Sequence, residues 1–392
     1  MTNYRELFTT WWNSFKESDH PSLIEMKNTV ENSPWHREAN VFVHTNMVVN
    51  KYLEFSEGYE WTRADLLGAI AAVFHDFGKP MSEEEITKDD GSVYRRYAGH
   101  ETISGGYWMN FWLNNEYDIK SIIPTAYEFY YIHVMIAYHL PYQLKIQRVQ
   151  ELKYHLDFTN TYDAFIKLLR SDAHGRMPDD MESNIARMES WIEKFDDIEL
   201  LEEDHPQDKL MYTIVGVAGS GKSTWVDTLV NGNDIIFSND DVRCAVYDNC
   251  SYSESFRSMV DYFKNGSVDV SWMLDKLGIA YKKSPVLENE NGLLMRVFND
   301  KTSQFKVSSG DFFVDNTNMN YKTRAKYRNA VMRHTPCNAI ALLKYAPLDV
   351  IIDRNSNRTG KTIPTSVLKG MFYTTFMPPL YGEYYNVIIN VE

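Results

Sequence analysis

Gly216-Val217-Ala218-Gly219-Ser220-Gly221-Lys222-Ser223 follows the apolar run from Leu210 to Val215 and leads into a helical stretch at Thr224-Trp225. Glycines at these spacings let consecutive backbone N–H groups turn inward as an anion-binding nest, and the helix that follows adds its positive dipole end. Lys222 is then placed to reach the β- and γ-phosphates of a nucleotide, and Ser223 to bind Mg²⁺. The expected cofactor is ATP, or another nucleoside triphosphate, with Mg²⁺, held by Gly216, Gly219, Ser220, Gly221, Lys222, Ser223 and Thr224. A bare glycine-rich turn is the alternative, and it leaves the flanking strand and helix without a reason. Downstream, short apolar runs at 234–237, 312–314, 339–343 and 387–391 alternate with polar helical stretches. Strands separated by helices indicate βαβ units, so residues 210–392 are expected to form an α/β domain around a parallel sheet.

A phosphate loop does not say what receives the phosphate. Ser238-Asn239-Asp240-Asp241-Val242-Arg243 comes directly after the second apolar run, at the carboxyl end of a strand, where α/β sheets build their sites. Transfer to a hydroxyl needs a carboxylate to orient and deprotonate it and a cation to hold the acceptor's own phosphate. Asp240 and Arg243 suit these roles, although a surface N-cap with Arg243 in the first helical turn fits the same letters. Asp315-Asn316-Thr317-Asn318 ends the third apolar run, where it can support the metal or the loop. Arg354, Arg358 and Lys361 set three cations in eight residues, with Gly360 for flexibility. That is the composition of a lid closing over phosphates.

Four ordered features carry a resemblance. They are Gly219-Ser-Gly-Lys-Ser-Thr-Trp225, the 239–243 block, Thr317-Asn318, and Arg354-Asn-Ser-Asn-Arg358 followed by Ile363-Pro364 and Val367-Leu368. Over about residues 210–380 they resemble the bacteriophage and bacterial polynucleotide 5′-kinase family. The resemblance implies that Asp240 is the general base, Arg243 the ligand of the acceptor's phosphate and Arg358 the lid arginine on the transferred phosphoryl group. Arg354 joins Arg358 on the nucleotide, and Asp315 and Asn318 stand on the substrate side. In the bacteriophage pattern an Asp directly precedes Thr-Asn, whereas here that place is Asn316 and the carboxylate is Asp315, which leaves its role open. The spacing from Asp240 to Thr317 predicts an insertion at about 265–305.

Nine of the eleven histidines precede residue 200, so a different chemistry is expected in the first half. Residues 41–52, 64–77, 126–139 and 161–174 are apolar-periodic and nearly free of Gly and Pro, and they predict helices. An all-helical domain is expected over 1–200, joined to the second domain (210–392) by an acidic linker at 201–209. His75 and Asp76 end a run so apolar (Leu66, Leu67, Ile70, Val73, Phe74) that it must be buried nearly all round. Asp172 projects from the face of Phe165, Leu168 and Leu169, His44 from that of Val41 and Val48, and His139 follows Ile132 and Met135. Burying unpaired carboxylates is costly, and metal coordination is one of few ways to offset the cost. Each histidine alone is more often a hydrogen-bonded core residue; the set carries the reading.

His44, the His75-Asp76 pair and Asp172 resemble the ligand pattern of the HD phosphohydrolase superfamily over about residues 35–180, and Phe77-Gly78-Lys79 matches its continuation. The resemblance implies that His100 and His139 are the two further ligands of two-metal members, with His133 competing for the place of His139. It also makes Lys79 and Arg176 phosphate ligands. Mixed imidazole and carboxylate donors suit Mn²⁺, Ni²⁺, Co²⁺, Fe or Zn²⁺. Two such ions bridged by Asp76 would turn water against a phosphoester.

The formal charge of −14 argues against a protein that coats nucleic acid through bulk electrostatics. Residues 301–392 nevertheless hold 12 basic and 6 acidic residues, against 19 and 32 in residues 1–200, which fits either a local phosphate-binding surface or a solvated basic face. Cys244, Cys250 and Cys337 have no metal-like spacing and are expected to be reduced thiols. With no apolar run long enough to span a bilayer and no secretory pattern, a cytoplasmic location without a membrane partner is expected. The domain order matches bifunctional enzymes that join an HD domain to a polynucleotide kinase. The expected function is therefore healing of RNA ends, with DNA ends as second candidate, in concert with a polynucleotide ligase. The rivals are a small-molecule kinase fused to a nucleotidase and a nucleotide-gated HD phosphohydrolase without kinase activity. Whether the chain forms a homo-oligomer is left open.

Overall fold

The computed structural model describes residues 2–33, 35–201, 206–248, 251–282, 285–359 and 362–392. The chain forms two compact units, Met1–Glu203 with Phe372–Glu383, and Asp204–Met371 with Tyr384–Glu392. The division differs from the expected 1–200, 201–209 and 210–392 in two ways: the boundary falls at Glu203/Asp204 within the expected linker, and Phe372–Glu383 groups with the first unit.

The first unit contains α1 (Tyr4–Lys16), α2 (Pro21–Asn28), α3 (Val41–Glu54), α4 (Arg63–Phe74), α5 (Lys79–Ser82), α6 (His100–Leu113), α7 (Ile119–Ile122), α8 (Ala126–Ala137), α9 (Ile146–Phe158), α10 (Tyr162–His174) and α11 (Met181–Asp196). Helix α4 starts at a capping box between Thr62 and Asp65, and Leu66, Ile70, Val73 and Phe74 are fully buried, because α1, α3, α8 and α10 pack around it. Each large apolar side chain so enclosed contributes about 1.5–3 kcal/mol. The helix stops at Phe74, short of the expected Phe77. His75 is its C-cap, and residues 75–78 form a turn. Neighbours on a helix point about 100° apart, and leaving the helix lets His75 and Asp76 face the same side. One exposed hairpin, β1 (Glu83–Thr87) and β2 (Val93–Tyr97), is set into the helical unit.

Residues 372–383 are held by their apolar side chains and by the carbonyls that two prolines leave exposed. Phe372, Phe376, Leu380 and Tyr381 are buried, and the hydroxyls of Tyr130 and Tyr138 donate to the carbonyls of Pro379 (2.6 Å) and Pro378 (3.0 Å). His133 stacks on Phe376 at 5.7 Å, and His155 Nδ1 accepts from the Tyr381 N–H at 3.2 Å. Burial, joined at His155 by the charge of Arg148, lowers both imidazoles to a pKa of about 3. They are neutral in the folded protein, whereas the ordinary value is 6.5. Between these values the unfolded chain binds more protons. Each ring's contribution is therefore complete above about pH 6.5 and is lost as pH falls, by about 1.4 kcal/mol per pH unit. Urea unfolding followed by circular dichroism between pH 5 and 7 is expected to show this slope, and His133→Phe should reduce it.

The second unit contains β3 (Leu210–Val215), β4 (Ile235–Phe237), β5 (Val268–Asp269), β6 (Leu287–Glu288), β7 (Phe312–Val314), β8 (Asn338–Tyr345) and β9 (Asn386–Val391). Its helices are α12 (Lys222–Asp227), α13 (Asn239–Val246), α14 (Tyr252–Phe263), α15 (Ser271–Lys276), α16 (Glu290–Val307), α17 (Tyr321–Met332), α18 (Leu348–Ser356) and α19 (Thr365–Gly370). A five-stranded sheet in the order β4-β7-β3-β8-β9 is parallel throughout, so every strand's carboxyl end lies on one edge. Apolar side chains cover both faces, as parallel sheets require: Phe237, Phe298, Phe312 and Tyr327 belong to one cluster, and Ile214, Val226, Phe313 and Leu342 to the other. The expected insertion at 265–305 is a folded part of the first cluster, contributing Val270, Met273, Leu274 and Phe298. No helix among the described residues is long and apolar enough to cross a membrane.

Candidate metal centre and phosphate loop

Three helices (α3, α6 and α10), the turn after α4 and the bend after α8 bring the imidazoles and carboxylates of the first unit together. Asp76 lies at the middle. Its Oδ2 is 3.1 Å from the Nε2 atoms of both His44 and His75, and its Oδ1 is 3.0 Å from His100 Nε2 and 3.8 Å from His139 Nε2. Asp172 Oδ1 is 3.2 Å from His44 Nε2 and 3.8 Å from His75 Nε2. The ligand atoms of His44, His75 and Asp76, and separately those of Asp76, His100 and His139, lie within 4.8 Å of one another. Each of these histidines turns its other nitrogen to a backbone carbonyl. The distances are 3.1 Å for His44 to Gly175, 2.8 Å for His75 to Ala72, 2.6 Å for His100 to Tyr97 and 2.8 Å for His139 to Ile136. A carbonyl only accepts, so Nδ1 carries a proton and Nε2 is the nitrogen turned toward the carboxylates, the orientation that second-shell contacts give to metal ligands.

Charge tests whether ions fit here. Glu31, Glu38, Asp76 and Asp172 are all buried, alongside Lys79 and Arg176, so carboxylates outnumber fixed cations. Glu31 Oε2 is buried and has no hydrogen-bond partner among the described residues. Burial pushes the Asp76 carboxyl up, but the charges of His75 and Lys79 and the bonds from His100 and His44 hold it well below the usual range. Asp172 is likewise pushed up by burial and held down by Arg176 and His44. His44 is lowered by burial yet raised overall by Asp172, Asp76 and Glu38; its surroundings call for a cation. The donor set and the surplus negative charge fit divalent metal at these two groups of ligand atoms.

Lys79 Nζ lies 2.6 Å from Glu31 Oε1 and 2.8 Å from Asp76 Oδ2, and Arg176 pairs with Asp172. Both expected phosphate ligands are therefore engaged by carboxylates at the centre. His133, the competitor of His139, lies away from the two ligand sets and against Phe376. Glu31, His36 and Glu38 escape sequence reading: they sit in an irregular stretch before α3, where no periodicity marks a buried side chain. Glu38 Oε1 is nonetheless 3.5 Å from His44 Nδ1, and its Oε2 is 3.3 Å from His36 Nδ1.

Gly78 explains the tight approach of α6. Its N–H donates to Ser104 Oγ at 2.8 Å, and a Cβ at this position would meet the His100 carbonyl oxygen at 2.3 Å and the Ser104 nitrogen at 2.6 Å. Gly78→Ala must push the start of α6 away and carry His100 with it. The expected result is a loss of about 1–3 kcal/mol of stability and depletion of the ion that His100 and His139 would hold, measurable as metal content by mass spectrometry.

On the sheet edge of the second unit, Gly219 and Gly221 adopt φ of +90° and +87°, conformations open to glycine and strained for other residues. They bend the loop between β3 and α12. The Gly216 N–H donates to the Thr317 carbonyl at 3.1 Å, and the Lys222 ammonium donates to the Val217 carbonyl at 2.8 Å. Ser220 is buried, whereas Ser223 and Thr224 are exposed in the first turn of α12. Ser238 caps α13 by accepting from the Asp241 N–H, so Asp240 is not needed as a cap. Arg243 bonds Asp240 Oδ1 at 3.0 Å and Glu290 Oε1 at 2.8 Å. Asn318, expected on the substrate side, is 1% exposed, and its amide donates to the carbonyls of Ile214 (2.8 Å) and Val314 (3.1 Å). A side chain so used braces β3 against β7. Asn316 accepts from the Asn239 N–H at 3.0 Å, tying β7 to α13, while the Asp315 N–H donates to the Phe237 carbonyl at 2.9 Å. Arg354 bonds Glu392 at 2.5 Å and lies beside Gly221, 3.5 Å from where a Cβ would stand. Arg358 is exposed beyond α18. Gly360, Lys361 and Cys250 lie outside the described residues.

Residues 211–376 match the family model described as an AAA domain. No curated protein matches the chain. The family match, the glycine loop and the parallel sheet make the second unit a P-loop nucleotide-binding domain of kinase type.

Proposed function

We propose that this protein heals broken nucleic-acid ends, phosphorylating 5′-OH termini of RNA or DNA with ATP and clearing 3′-phosphate or 2′,3′-cyclic phosphate termini in a metal-dependent step. The observation that supports it is the coexistence in one chain of a P-loop with Asp240 and Arg243 on the same sheet edge and of Asp76 with its two oxygens facing separate imidazole sets.

In the kinase step, Asp240 accepts the proton of the 5′-hydroxyl as it attacks the γ-phosphate, Lys222 and the loop N–H groups neutralise the developing charge, and Arg243 holds the acceptor's phosphate. Ser223 would hold Mg²⁺, which would supply positive charge to the donor phosphates. Arg354 and Arg358 close over the donor from α18 and the loop beyond it. For the hydrolytic step, His44, His75, Asp76 and Asp172 would hold one ion, and Asp76, His100 and His139 a second. Two divalent transition metals (Mn²⁺, Ni²⁺, Co²⁺, Fe or Zn²⁺), when bound, supply an acidified water and polarise the phosphoryl oxygens. Lys79, anchored by Glu31, keeps Asp76 ionised and oriented, and Arg176 does the same for Asp172. The products, a 5′-phosphate and a free 3′ end, are what a polynucleotide ligase consumes.

End-group analysis of defined RNA and DNA strands incubated with ATP and a panel of divalent metals tests the proposal. Both end reactions are expected. Phosphorylation of nucleosides without oligonucleotides points instead to a small-molecule kinase, and hydrolysis modulated by ATP without any labelled acceptor to a nucleotide-gated hydrolase.

A further inference from the structure

Helix α14 presents an apolar stripe to solvent. Its start is set by a capping box between Ser251 and Glu254, and Ser255, Met259 and Phe263 form its buried face. Tyr252, Phe256 and Val260, spaced four residues apart and so aligned on one face, are 40%, 48% and 44% exposed. Single exposed apolar residues need no explanation, whereas an aligned set marks a contact surface.

The stripe begins at the acceptor residues. The Tyr252 hydroxyl donates to Asp241 Oδ1 at 3.4 Å, and the Arg243 guanidinium stands over the Phe256 ring at 5.1 Å from its centroid. On the other flank, the Thr362 N–H in the loop after α18 donates to Ser253 Oγ at 3.2 Å. Arg257, next to Phe256, is exposed. The N-terminal end of α14 thus links the acceptor residues to the lid segment. A bare sugar gains nothing from such a wall, but a nucleobase does, since every base has a π-face that stacks on aromatic rings. At the helical rise the stripe extends about 12 Å from Tyr252 to Val260, which is more than one base covers.

We infer that α14 is the wall of the acceptor channel, where Tyr252 and Phe256 stack the 5′-terminal base and Val260 receives the next, so that base-bearing strands are selected over sugar phosphates. This rests on the proposed role of Asp240 and Arg243 as the acceptor site. Arg257 supplies a charge for the phosphate between the two nucleotides.

The test is steady-state phosphorylation of a 5′-OH tetranucleotide and of the same strand with its first two bases replaced by abasic sugars. Phe256→Ala is expected to raise KM for the base-bearing strand by about tenfold, the worth of one stack, to leave KM for the abasic strand where it was, and to be rescued by Phe256→Trp. An equal rise for both strands would mean that Phe256 acts only by positioning Arg243, and no rise for either would mean that the stripe touches no acceptor; each overturns the inference while the kinase assignment stands. If the unaltered protein phosphorylates no oligonucleotide, the end-healing reading fails first and the wall falls with it.

Discussion

Lys222→Ala is expected to lower the transfer of labelled phosphate from ATP to a 5′-OH oligonucleotide by about a thousandfold or more, while hydrolysis of 2′,3′-cyclic phosphate ends continues. The reason is the geometry of the loop. Gly219 and Gly221 turn the backbone at left-handed φ values, the ammonium of Lys222 lies within that turn on the Val217 carbonyl, and a bound triphosphate offers it a far stronger partner. Without the ammonium, the charge that gathers on the transferred phosphoryl group loses the cation fixed nearest to it in the loop. Asp240→Asn tests the other half of the step, because an amide cannot take the hydroxyl's proton. A loss of about 10²–10⁴ in kcat is expected, with ATP binding retained. Labelling by either variant at the parent's rate would remove the kinase assignment.

Asp76→Asn is expected to abolish release of phosphate from 3′-phosphate and cyclic ends, by about a thousandfold or more, and to reduce the bound metal to one ion per chain or fewer. The substitution keeps the side chain's volume and removes its charge, so it asks only whether both oxygens are needed. They face different partners, Oδ2 toward His44 and His75 and Oδ1 toward His100, and Lys79 adds a buried cation that an amide cannot neutralise. A paired comparison separates ligand from core. His139→Ala should cost metal and hydrolysis, whereas His133→Ala should cost stability, since its ring packs on Phe376. Equal metal content in the Asp76→Asn variant and the parent would defeat the two-ion reading, and 5′ phosphorylation serves as the internal control for folding of the second unit.

The phosphate loop was legible in the sequence because it is local: a strand, a run of glycines and a helix lie within twenty residues, and each glycine answers to a backbone need at its own position. The imidazole and carboxylate set was legible for a different reason. Polar residues on the apolar faces of α3 and α10 and just past the ends of α4 and α8 are costly unless they meet, so their burial could be read one helix at a time. Glu31 and Glu38 gave no such signal, being in an irregular segment, and Asn318 looked like a substrate contact until its amide was seen between β3 and β7.

Amphipathic periodicity and turn chemistry, which act over a few residues, determined from the sequence alone that a helical half precedes an α/β half with a nucleotide loop at its first strand. Tertiary structure alone decided that His139 and not His133 joins Asp76, that carboxylates from outside the helices crowd the same pocket, and that residues 372–383 pack with the first unit far from their place in the chain. These depend on which side chains meet across large sequence separations. That is set by the packing of whole helices and by the balance of buried charge, and no local pattern records either.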